Sequence, residues 1–192
     1  MVSLQTPVCE FGKKAVDFTL AGVDQQLWTL QKCSGDRGVL VMFISNHCPY
    51  VKAIRKKLVR DTRELIGLGI NTVAIMPNDT VAYPEDSVEN MLLISKEFKF
   101  PFPYLLDETQ DVARAYGAVC TPDFFGYNAD MELQYRGRLD AAGPKSDDES
   151  QVRELFEAMK QVAETGHGPE NQVPSMGCSI KWRDETVGFG SH

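Results

Sequence analysis

Residues Val39-Leu-Val-Met-Phe-Ile44 form an unbroken apolar run, and Ser45-Asn46-His47-Cys48-Pro49-Tyr50-Val51 follows it directly. A short continuous apolar run reads as a central strand buried on both faces. Pro49 suits the first turn of a helix, because that position needs no N–H and a fixed φ is pre-organised there. Val51, Ile54, Leu58, Leu65 and Ile66 then recur near helical spacing until Gly67 and Gly69 stop the helix. Strand, sharp turn and helix therefore meet at Cys48.

Outward from this corner, Thr72–Met76 is a second apolar strand, completing a βαβ unit with the parallel pairing and right-handed crossover such units take. Before it, residues 15–20 alternate apolar and polar and turn into Gln26–Leu30, which predicts an N-terminal hairpin. After it, Pro77–Asp86 reads as a polar loop, 87–98 and 109–116 as helices, and Pro103–Leu106 as a short strand. Asp123–Tyr127 and Glu132–Leu139 flank the Asn128-Ala-Asp130 turn as a second hairpin, on which Arg136 and Arg138 read as exposed edge charges. A last helix spans roughly 148–164. No internal repeat or linker divides the chain, so residues 1–192 are expected to form one α/β domain, three layers deep (α/β/α) around a mixed sheet. The tail from about 166 to 192 carries Cys178, Ile180 and Trp182 and is expected to pack back onto the domain.

Charge narrows the function. Asp and Glu number 27 against 20 Lys and Arg, a formal net charge of −7, which argues against a nucleic-acid partner or an anionic membrane surface. No apolar run approaches the roughly eighteen residues that span a bilayer. Met1–Lys14 has no basic segment followed by an apolar one, so it does not read as a secretory signal and the cytoplasm is the expected setting. The five cysteines are widely spaced and odd in number, which fits reduced thiols better than a disulfide framework.

Cys48 carries the chemistry. At the N-cap of a helix the unpaired N–H groups and the positive end of the dipole favour a negative sulfur, and the thiolate is the nucleophile. His47 adds to this if its ring is protonated and points at the sulfur; packing or local hydrogen bonding is an equal reading.

The runs Ala15-Val16-Asp17-Phe18-Thr19-Leu20, Ser45-Asn46-His47-Cys48-Pro49-Tyr50-Val51-Lys52, Thr121-Pro122-Asp123 and Gly177-Cys178-Ser179-Ile180-Lys181-Trp182 together resemble the redoxin family of alkyl hydroperoxide reductases and thiol-specific antioxidants, in its bacterial branch with Asn-His-Cys-Pro-Tyr-Val. The resemblance implies a thioredoxin-like fold and a cis peptide at Thr121-Pro122 facing Cys48. It further implies a substrate surface drawn from Asn46, Pro49, Tyr50, Thr121 and Pro122, with Cys48, Cys120, His47 and Ser45 in the chemistry. Val51 stands where oxidoreductases of this fold place a second cysteine, so no Cys-x-x-Cys disulfide forms. Peroxiredoxins set Pro seven residues and Thr or Ser three residues before their cysteine; here those positions are Val41 and Ser45. The second sulfur is therefore sought elsewhere. Cys120, beside the cis-proline segment, is the leading candidate to resolve a mixed disulfide or sulfenic acid, and a buried core thiol is the equal alternative. Cys178 is the other candidate, read first as a packed cysteine.

The expected function is thiol-disulfide exchange through Cys48, with a thiol or disulfide substrate and a reducing thiol as partners and no cofactor. A peroxiredoxin-like peroxidase using Cys48 is the alternative enzyme. A soft-metal or redox-sensing protein built on Cys48, Cys120, Cys178 and His47 comes last, since no two cysteines have local metal-ligand spacing.

Overall fold

A computed structural model describes residues 2–142 and 150–183. The apolar run forms β4 (Gly38–Phe43), every residue of which is buried. Its side chains alternate between two cores, as the twofold period of a strand requires. Leu40 and Met42 face one core with Val51, Ile54, Leu58 and Leu65 of α2 (Pro49–Gly67) and Leu155, Met159 and Val162 of α5 (Glu154–Thr165). Val39, Val41 and Phe43 face the other, with Leu30 and Cys33 of α1 (Leu30–Cys33) and Ala113 and Tyr116 of α4 (Asp111–Tyr116). Helices thus cover both faces of one sheet, giving the three-layer α/β/α arrangement.

The sheet is mixed. β2 (Thr19–Gly22) and β3 (Leu27–Thr29) are the N-terminal hairpin, β2 also pairs antiparallel with β6 (Tyr104–Leu106), and β6 runs parallel to β5 (Ile70–Met76). On the other side β4 pairs antiparallel with β8 (Asp123–Asn128), and β8 with β9 (Leu133–Tyr135). The two halves meet along β5 and β4, where the Ile44 N–H donates to the Ile75 carbonyl at 3.0 Å. α3 (Val88–Glu97) completes the helices.

Three strands were not foreseen in the sequence: β1 (Ser3–Gln5), β7 (Cys120–Thr121) and β10 (Met176–Ser179), which form a separate antiparallel ribbon in the order β1-β10-β7. The C-terminal tail thus contributes a strand to the edge beside the cis-proline segment.

Several boundaries also differ. The second hairpin's return arm ends at Tyr135 rather than Leu139, because Gly137 passes against the Tyr135 side chain and the Val173 carbonyl and the chain leaves the ladder there. The last helix is expected from 148, but α5 begins at Glu154; positions 148 and 149 lie outside the described residues. Arg136 is no edge charge. It is buried and paired with Asp123 at 3.0 Å, its guanidinium over the Phe125 ring. Among the described residues no helix is long and apolar enough to cross a membrane.

Candidate active site

β4 ends at Phe43, and Ile44 to His47 carry the chain to Cys48, the N-cap of α2, with Pro49 at the first helical position. The first helical bond runs from the Lys52 N–H to the Cys48 carbonyl at 2.9 Å. The local sequence therefore sets the sulfur where strand and helix meet. The Thr121-Pro122 bond facing it is cis.

The surroundings of that sulfur differ from the expectation in two ways. Cys48 is 0% exposed, roofed by the strand that carries Cys178, itself 4% exposed. Its side chain also makes no capping bond with the helix. Instead the Cys48 thiol donates to the Thr121 carbonyl at 3.1 Å, and its sulfur lies 3.0 Å from the Cys178 sulfur, from a residue 130 positions away. A disulfide bond is about 2.05 Å long, so closing one takes a movement of about 1 Å.

The first-turn amide expected at Cys48 serves its neighbour. Burial pushes the Cys178 thiol up to about 12 and the adjacent Cys48 sulfur adds to this, while the Tyr50 backbone N–H and the Lys181 charge pull the other way. Pro49 has no N–H, which makes Tyr50 the first amide of α2 able to donate.

Cys120, the leading resolving candidate, is turned elsewhere. Its thiol points to the Pro122 carbonyl at 3.6 Å, and burial, reinforced by Asp123, drives its pKa far above the ordinary thiol range. The reason is register. β10 pairs Cys178 with Thr121 and Ser179 with Cys120, and directly opposed residues share a face. Cys178 points toward Cys48, and Cys120, paired one position along, lies on the opposite face.

Ser45 is also drawn to the proline segment: its hydroxyl lies 3.2 Å from that of Thr121, both buried. His47 is engaged elsewhere: its Nδ1 lies 2.7 Å from Asp86 Oδ2, and its ring stacks on Tyr83. Asn46, expected to touch substrate, instead accepts the Tyr104 hydroxyl at 2.9 Å and donates to the Glu85 carbonyl at 3.1 Å, so both ends of its buried amide hold protein partners. Arg55 donates to the Asn46 carbonyl and stacks over Phe98.

Pro49 is exposed and Tyr50 half-buried, its hydroxyl 2.9 Å from that of Ser3 in β1. Tyr50, Pro122 and Met176 line a groove of about 230 Å³ with Ile54, Phe124 and Leu139. The three segments bearing the site, the start of α2, the cis-proline turn and β10, thus border one largely apolar hollow. Asp86, Tyr104 and Arg55 were missed in the sequence, where Pro77–Asp86 reads as a polar loop. Among the described residues no group of three or more His, Cys, Asp or Glu side chains is arranged to hold a metal ion.

Comparison with known proteins agrees with this architecture. A crystal structure of an uncharacterized conserved protein from Geobacillus kaustophilus is 42% identical, with a TM-score of 0.89 over 95% of this chain and 97% of that one. A hypothetical protein from Sinorhizobium meliloti 1021 is 39% identical, with a TM-score of 0.88 over 96% and 99%. The thioredoxin domain of a thiol-disulfide oxidoreductase from Bacteroides vulgatus shares the fold at 16% identity, with a TM-score of 0.61 over 80% and 97%. No curated protein matches the chain. The AhpC/TSA family model matches residues 11–139, from ahead of β2 through the Cys48 corner and the cis-proline to just past β9, and the chain belongs to that family.

Proposed function

We propose that this protein is a thiol-disulfide oxidoreductase whose redox pair is Cys48 and Cys178. The observation that carries the proposal is the 3.0 Å contact between the two sulfurs at the start of α2. In the reducing direction the Cys48 sulfur attacks a substrate disulfide; the S–S bond breaks, a mixed disulfide forms on Cys48, and one substrate thiol leaves. Cys178 then attacks the Cys48 sulfur, forming the Cys48–Cys178 disulfide and releasing the second substrate thiol. Two electrons and two protons pass to the substrate, the Cys178 proton going to the departing sulfur. An external reducing thiol resets the pair.

With both sulfurs buried, the substrate enters from the groove as Tyr50 and Ser3 part. Pro49, Tyr50 and Pro122 are its docking surface, while Thr121 and Ser45 hold the turn in place. A cytoplasmic setting, where thiols are kept reduced, belongs to the same proposal.

The test is turnover of insulin disulfides with dithiothreitol as electron donor. The wild-type protein accelerates reduction, Cys48→Ser abolishes the acceleration, and Cys178→Ser accumulates a mixed disulfide on Cys48. Full activity in Cys48→Ser would contradict the proposal. Hydroperoxide consumption that outpaces disulfide turnover would assign peroxidase chemistry to Cys48 instead.

A further inference from the structure

The polar cluster beside the sulfurs is organised round one carboxylate that the reaction above does not use. Asp86 lies in the 3-10 turn Pro84–Asp86 and is 0% exposed. Its Oδ1 accepts the backbone N–H groups of Asn46 at 2.8 Å and His47 at 3.3 Å. Its Oδ2 accepts from the Asn78 side-chain amide at 2.8 Å and meets His47 Nδ1 at 2.7 Å. The carboxylate faces four donors, close to its full accepting capacity.

Each donor leads toward one of the two sulfurs. Asn46 and His47 immediately precede Cys48. Asn78 reaches the other strand, since its Oδ1 accepts the Lys181 N–H at 2.9 Å. The Lys181 carbonyl is held in turn by the Asp79 N–H and the Gln110 amide, each at 2.9 Å. Lys181 lies three residues beyond Cys178. One buried carboxylate thus ties the segment entering Cys48 to the segment leaving Cys178.

Burying a carboxylate is costly unless it is hydrogen-bonded, and removing its partners or its charge leaves several buried donors unpaired. A turn that only needed closing has cheaper solutions. Holding two reacting groups in contact raises their effective concentration and favours bond formation between them.

We infer that Asp86 is a positioning residue for the dithiol, fixing the two thiols in contact and so driving the equilibrium toward the Cys48–Cys178 disulfide. This rests on the assignment of those cysteines as the redox pair. The relevant exchange is with glutathione disulfide: the two thiols lose two hydrogens, one S–S bond forms between them, and glutathione disulfide is cleaved to two glutathiones.

The experiment equilibrates the full chain with glutathione buffers of stepped ratio, traps thiols by alkylation and reads the Cys48–Cys178 disulfide by mass. Asp86→Asn keeps the shape but presents an NH₂ group to donors, and is expected to lower the equilibrium constant about tenfold, equal to about 30 mV for a two-electron couple. Asn78→Ala keeps the carboxylate but removes the side chain that links it to Lys181, and is expected to lower the constant about threefold; it also serves if Asp86→Asn does not fold. Asp61→Asn is the control, a buried carboxylate in α2 paired with Arg60 and Arg153, which should lose stability with an unchanged constant. A wild-type constant in both Asp86→Asn and Asn78→Ala, or an equal fall in Asp61→Asn, overturns the positioning role and leaves the redox pair standing. A wild-type protein that never forms the Cys48–Cys178 disulfide overturns the pair and the positioning role together.

Discussion

β7 and β10 lie side by side, each carries a buried cysteine, and only the one on β10 meets Cys48. Both thiols are raised by burial, Cys178 further by the Cys48 sulfur and Cys120 further by Asp123. The Lys181 charge and the Tyr50 N–H pull the first down and Arg136 the second, so electrostatics does not separate them. What separates them is the parity of a two-residue register: Thr121 and Cys178 share one face, Cys120 and Ser179 the other. A partner for Cys48 is thus chosen by strand pairing and not by nearness to the cis-proline in sequence. Gly177 makes the approach possible, because a Cβ there would lie 2.1 Å from the Thr121 carbonyl oxygen.

The largest effect should come from exchanging the roles of these two cysteines. Cys178→Ser should eliminate the intramolecular disulfide and lower disulfide turnover by about a hundredfold or more, while Cys120→Ser stays within about twofold of wild type; steady-state insulin reduction measures both. Next comes oxidation itself. A Cys48–Cys178 link closes a loop of about 130 residues, for which loop entropy allows a gain of up to about 5 kcal/mol. Urea unfolding with and without reductant measures it, and Cys120→Ser should show the same gain. Gly177→Ala should cost about 1–3 kcal/mol through overpacking and slow disulfide formation, since β10 must move off the proline turn; the same unfolding assay and timed alkylation report the two.

The smallest effect is alkaline. Cys178 has an ordinary value of 9.0 and is pushed up to about 12 in the fold, so the folded chain keeps its proton longer than the unfolded one. Its stabilising contribution is whole below pH 9 and is lost as pH rises from 9 toward 12. Cys33 is likewise raised to about 12 and Cys9 to about 11, by burial. Melting temperatures between pH 8 and 10.5 should therefore fall more steeply for the reduced protein than for the oxidised one, in which Cys178 no longer titrates.

The contrast between β7 and β10 also marks what the sequence could tell. β4 and α2 were legible because Val39–Ile44 and Val51–Ile66 carry their periods in their own side chains, and Pro49 fixes where one gives way to the other. The cis-proline segment was legible through the family resemblance. Met176-Gly-Cys-Ser179 was not, because four residues with a glycine among them have no strand period of their own; they become a strand by pairing with β1 and β7. Its cysteine was noticed through the family resemblance of the run Gly177–Trp182. Asp86 was hidden for a different reason. It ends a polar stretch that reads as a solvated loop, and only the fold reveals that the carboxylate points inward to backbone amides from β4's extension. His47 and Ser45 were picked out by position, but their partners, Asp86 and Thr121, come from elsewhere in the chain and could not be chosen from spacing.

Disulfide mapping settles the pairing most directly. The reduced protein is treated with one equivalent of a mild disulfide oxidant, remaining thiols are alkylated, and the digest is read by mass spectrometry. A peptide pair joining Cys48 to Cys178, with Cys120 alkylated after unfolding, is the predicted result. A Cys48–Cys120 link, or Cys48 and Cys178 both recovered as thiols, would contradict it.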